Sequence, residues 1–121
     1  MVVDLKLLPI EISKINISYS QTVLKLDRDR EFFDRLMDKE LEKTVNSNFR
    51  SYVSRRNGKG SHYGITEKDA YGDPVNIMSV AELEHQFAWH QTEHKISPRN
   101  EAVLAYLKAL DPKTEVALFW H

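Results

Sequence analysis

Two histidines four residues apart, His90 and His94, are the side chains best placed by type and spacing to do chemistry. On a helix, positions four apart point the same way, and that is the spacing at which two imidazoles can reach one metal ion. The same helical wheel puts Val80, Leu83, Phe87, His90 and His94 on one face. The histidines therefore also continue an inward apolar stripe towards the helix end. There the charged form of histidine is favoured by the helix dipole. A metal at His90 and His94 and a buried extension of the stripe are both compatible with the spacing.

The string His90-Gln91-Thr92-Glu93-His94 resembles the H-x-x-E-H pattern of inverted zincin metallopeptidases over these five residues, and no family pattern runs along the rest of the chain. That resemblance implies Glu93 as general base and a further carboxylate ligand from a downstream helix. Glu101 and Glu115 lie downstream, and neither stands out as that ligand.

A second set of residues is basic and aromatic. No acid occurs between Glu42 and Glu67, where Lys43, Arg50, Arg55, Arg56 and Lys59 are interleaved with Tyr52, His62 and Tyr63. Arginine, aromatic rings and glycine-exposed amides suit phosphate contact and base stacking. The string from Arg55 to Ser61 resembles a phosphate-cradling loop in composition, but it lacks P-loop glycine spacing and no strand is expected before it. The simpler expectation is a helix C-terminus whose arginines complement the dipole, followed by a solvated loop. An acidic protein would fit the same charges.

A third set lies across the wheel from the histidine stripe: His85, Trp89 and Ile96. An exposed tryptophan is a binding anchor, because Trp dominates interface hot spots. A helix held between two core layers would give the same pattern without a partner. The run Asp27–Glu42, with seven acids and four bases, reads as a solvated helix face rather than a carboxylate pair for catalysis. Serines 51, 54, 61 and 79 sit in no nucleophile-elbow context.

The elements that must hold these residues follow from periodicity. Residues 2–26 read as β structure: Val3, Leu5 and Leu7 alternate with polar residues, and Pro9 interrupts the ladder. The pairs Ile10/Ile12 and Ile15/Ile17 are out of phase by one, which predicts a bulge or break near Ser13–Lys14. Ser18, Ser20 and Gln21 are expected to turn the chain into a third run, Thr22 to Leu26.

Residues 28–54 read as helix, capped by Asp27 or Asp29. Phe33, Met37, Leu41, Val45, Phe49 and Val53 recur every four residues, with a kink or break at Thr44–Asn48. The four glycines between 58 and 72 predict a long loop over 57–73. Ser79-Val80-Ala81-Glu82 matches a capping box, opening a helix to about residues 94–96. Ser97-Pro98 opens another, ended by Asp111-Pro112, and Thr114–Trp120 is a buried strand. The expected fold is α+β: one domain over 1–121, with a mainly antiparallel sheet from the N-terminal strands and the last strand against three or four helices.

Composition limits what such a fold can do. The 121 residues carry seventeen basic and eighteen acidic side chains, a net charge of −1 that gives no whole-molecule attraction to nucleic acid or membrane. Without cysteine, thiolate metal sites and cysteine nucleophiles are excluded, and a reducing, cytoplasmic location is expected. Met1–Pro9 has no basic region followed by an apolar run, and nowhere are there eighteen consecutive apolar residues. No signal peptide, membrane span or cofactor is expected. The leading expectation is a binding or regulatory protein that covers a surface of a protein partner, as inhibitors and adaptors do. The alternatives are a nucleic-acid binder using Arg50–Lys59 and a metal-dependent hydrolase using His90, Glu93 and His94.

Overall fold

The computed structural model describes residues 3–39, 41, 43–54 and 61–121; at 52–54 and 61–64 the description is of the backbone. The last strand is the centre of the architecture. The segment Glu115–Trp120, strand β8, carries the consecutive buried residues Val116, Ala117 and Leu118. A strand with no polar alternation must be covered on both faces, and this one is.

On one edge β8 pairs antiparallel with β1 (Leu5–Pro9), placing Leu7 opposite Leu118. On the other it pairs antiparallel with β7 (Asn76–Ser79). A short strand, β4 (Leu24–Lys25), completes the order β4-β1-β8-β7 outside β1. The expected antiparallel sheet of N- and C-terminal strands is thus present.

Three helices cover one face of this sheet. They are α1 (Arg30–Met37), α2 (Val80–Gln91) and α3 (Pro98–Lys108). Phe32 and Leu36 of α1, Leu83 and Phe87 of α2, and Val103 and Leu107 of α3 meet Leu5, Leu7, Val116 and Leu118 in the larger core. Burying a side chain of this kind contributes about 1.5–3 kcal/mol. Each helix starts on a side-chain cap, from Asp29, Ser79 and Ser97. The capping box is half-formed: Ser79 Oγ accepts the Glu82 N–H at 3.1 Å, while the Glu82 carboxylate accepts from Gln86 Nε2. Helix α2 ends at Gln91, one turn earlier than expected.

The opposite face corrects the expectation of helix over 28–54. Helix α1 ends at Met37. The i+4 apolar repeat continues beyond it for another reason: Val45 and Phe49 join Leu8, Val75, Ile77 and Ala117 in a second core on the far side of the sheet. The backbone is extended there, with Ile77 N–H donating to Lys43 O at 2.9 Å and Val45 N–H to Val75 O at 3.0 Å. A continuous helix would leave Leu8 and Ala117 uncovered.

The chain then enters a second sheet, of order β2-β3-β5-β6. Its strands are β2 (Glu11–Ile12), β3 (Ser18–Ser20), β5 (Arg50–Ser54) and β6 (Ser61–Ile65). Ser18 and Ser20 are therefore strand rather than turn, and β6 lies inside the expected 57–73 loop. The break near Ser13–Lys14 is a turn, in which Asn16 takes a left-handed φ of 62°. Ser51 and Thr66 hydroxyls pair at 2.6 Å beneath the second sheet, both buried. Among the described residues no helix is long and apolar enough to cross a membrane.

Candidate functional site

His90 stands in the last turn of α2 and His94 three residues past its end, where the His94 N–H still donates to His90 O at 3.1 Å; their spacing brings the rings together, stacked with centroids 4.6 Å apart. His90 continues the inward stripe, 2% exposed, with its ring 5.0 Å from Phe32. Its Nε2 lies 2.8 Å from Asp29 Oδ2. A carboxylate only accepts, so Nε2 carries the proton. The other oxygen of Asp29 accepts the Phe32 N–H at 3.2 Å and caps α1. His94 Nε2 lies 2.8 Å from Glu31 Oε2 nearer the surface.

Each Nε2 atom thus faces its own carboxylate, and both carboxylates come from α1 or its cap, upstream of the histidines. Glu101 and Glu93 are exposed, and Glu115 pairs with Lys43 across the sheet. No three His, Asp or Glu side chains converge on a common point among the described residues. Among the described residues the His90 ring is bonded to the Asp29 carboxylate and not to the hydroxyl a nucleophile–base pair would require. What this arrangement does is bind the start of α1 to the end of α2. Sequence reasoning found the histidines but not Asp29 and Glu31, which lie some sixty residues away.

The same seam runs on along both helices. Glu31 and Arg35 of α1, and Lys39 just past its end, meet His94, Trp89 and Glu82 in antiparallel order. Arg35 places its guanidinium 5.5 Å from the Trp89 ring centroid, and Lys39 Nζ lies 3.9 Å from Glu82. Trp89 is nevertheless 55% exposed, the most exposed aromatic ring among the described residues. Of the set expected opposite the histidines, His85 and Trp89 face solvent, whereas Ile96 lies beyond the helix and is buried in the main core.

The basic stretch is built differently from the expectation. Its described part, Arg50–Ser54, is strand β5 and not the end of a helix. Register places Tyr19, Arg50 and Ile65 in one row across β3, β5 and β6. Arg50 is exposed and Ile65 is 62% exposed. Two positions further on, Tyr52 stands opposite Tyr63, and Val53 opposite His62. Arg55, Arg56 and Lys59 lie outside the described residues.

One concave feature was not visible in the sequence. A groove of about 500 Å³ opens beside the C-terminal end of α1, between Leu36, Met37, Tyr71, Asp73, Leu118 and Trp120. Trp120 lines it and packs edge-on against Phe33, with centroids 5.7 Å apart. The 66–74 loop is tied down alongside by the Ala70 N–H, which donates to Trp120 O at 3.1 Å. The half-buried end of an otherwise buried strand was the only signal.

Compared with protein families, with curated proteins and with solved structures, the chain finds no match.

Proposed function

We propose that this chain is a binding module that covers a surface of a protein partner, with Trp89 as the anchor. The observation that carries this reading is the exposed, braced indole. More than half of Trp89 is open to solvent, yet Arg35 lies against its ring and restricts it. A large ring with little left to order loses less entropy on binding than a mobile one, and Trp and Arg are the residue types enriched at hot spots. The helices beneath are fixed to one another by the Asp29–His90 and Glu31–His94 pairs, so the anchor stands on a rigid base. A cysteine-free chain suits a reducing compartment such as the cytoplasm.

The test is affinity purification of the tagged chain from its own host, with Trp89→Ala in parallel. A stoichiometric protein that accompanies the parent chain and not the variant supports the reading. A partner retained equally by both removes Trp89 as the anchor.

A second reading, contact with single-stranded nucleic acid, is favoured by the row Tyr19, Arg50 and Ile65 and by the Tyr52–Tyr63 register on the β5–β6 ladder. Aromatic and basic positions on a sheet serve as stacking platforms. Titration of a labelled oligonucleotide at increasing salt tests it. The reading requires affinity that falls steeply with salt and a shallower slope in Arg55→Ala/Arg56→Ala.

A further inference from the structure

The groove beside α1 differs from the Trp89 surface in both shape and charge. Its lining is mainly apolar and includes Leu36, Met37, Tyr71, Leu118 and Trp120. Met37 is 44% exposed and Tyr71 42%, whereas the core residues they adjoin are nearly all sealed. One rim is the loop bearing Asp69 and Asp73. Asp69 Oδ1 accepts the N–H groups of Tyr71 at 2.9 Å and Asp73 at 3.1 Å, which fixes the loop's shape. Gly72, at a φ of 84°, supplies the left-handed position the turn requires.

Charge on the rim is net acidic, two carboxylates, Asp69 and Asp73, to one cation, Lys39. Lys39, the cation lining the groove, is engaged by Glu82. Neither Asp69 nor Asp73 forms an ion pair with any described residue. The groove therefore presents apolar surface next to a net acidic rim whose carboxylates form no ion pair with any described residue.

We propose that this groove receives a segment of a protein partner in which a lysine or arginine stands beside an aliphatic or aromatic side chain. The proposal rests on the reading of the chain as a protein-binding module and adds a second contact with its own chemistry. A long basic side chain is apolar along its stem and charged at its tip. Laid over Met37 and Trp120 with its head at Asp73, it covers apolar lining and answers the charge in one step. An arginine head also fits a carboxylate in two-pronged fashion and stacks on aromatic rings. The apolar neighbour fills the remaining space against Leu36 and Leu118. An acidic segment would meet Asp69 and Asp73 as like charges and be rejected.

The experiment is selection of a phage-displayed random heptapeptide library on the immobilised full chain, followed by calorimetry with the synthesised winners. Enriched peptides are expected to pair Lys or Arg with Leu, Ile, Phe or Met. Their affinity should drop about tenfold or more in Asp73→Lys and in Met37→Glu. Both positions are exposed, and Tyr71→Ala provides a further groove variant should either fail to fold. Trp89→Ala should bind the peptides as the parent does, which separates this site from the Trp89 anchor. Three outcomes overturn the proposal: no enrichment, winners without a basic residue, or affinity unmoved by the groove substitutions. If those appear while Trp89→Ala still releases the host partner, the groove assignment alone has failed.

Discussion

Asp29 joins two helices through a single carboxylate: Oδ2 accepts from His90 Nε2 at 2.8 Å, and Oδ1 accepts the Phe32 N–H at 3.2 Å. Replacing it by alanine removes an N-cap, about 1 kcal/mol, and strands a buried imidazole N–H, about 1–3 kcal/mol more. Asp29→Ala should therefore lower unfolding stability by about 2–4 kcal/mol in urea titrations. Asp29→Asn should cost much less. Its carbonyl still caps α1, and the neutral imidazole can invert its tautomer to accept from the new amide. Equal losses in the two variants would mean that the charge, not the hydrogen bonding, holds the helices.

Acid should weaken the fold in two separable steps. Burial, and then the charge of Lys6, holds His121 below the ordinary imidazole range. The unfolded chain takes up that proton first, so this contribution is present above about pH 6.5 and is lost as pH falls from there. Arg28, bonded to Asp4 at 3.1 and 3.2 Å, holds that carboxyl below the usual carboxylate range. Its contribution is present above about pH 4 and is lost as pH falls further. Urea midpoints measured from neutral to strongly acidic pH should show both limbs. His121→Phe should flatten the upper limb, and Arg28→Met the lower.

Gln86 is 2% exposed and its Oε1 has no hydrogen-bond partner among the described residues. Leaving a buried acceptor unpaired costs about 1–3 kcal/mol. Gln86→Met keeps the volume and removes the acceptor, so the melting temperature should rise. A fall would show that the Nε2 bond to Glu82, 2.9 Å long, outweighs the unpaired oxygen.

Trp89 should matter little to folding. A cation–π contact at an exposed site contributes about 0.5–1 kcal/mol. Trp89→Ala and Arg35→Ala should each lower stability by no more than about 1 kcal/mol in chemical denaturation. A larger loss in Trp89→Ala would assign the ring to the fold rather than to a partner.

Signals that act within one turn of chain were legible. Ser79 and Ser97 cap α2 and α3 where the sequence places them, and the unbroken apolar run at 116–118 is the buried centre of a sheet. His90 turns inward on the face that the wheel assigns to it. Contacts between distant segments were not legible. Val45 and Phe49 keep the spacing of α1 but serve the far face of the sheet, and periodicity alone cannot tell a helical stripe from residues covering a second core. The same holds for Asp29 and His90, for Arg35 and Trp89, and for the groove, each assembled from elements well separated in sequence. The β5–β6 ladder escaped because Phe49 and Val53 carry the i+4 repeat on, so β5 reads as helix, while β6 with Gly64 reads as loop until the pairing of Arg50 with Ile65 is seen.

The most direct measurement is native mass spectrometry of the tagged chain and of Trp89→Ala, each purified from the source cells without chelators. The parent chain is expected as a one-to-one protein complex and the variant as the free, folded chain. A nucleic acid bound instead, one tightly held metal per chain with no partner, or a protein complex that survives the substitution would contradict that expectation.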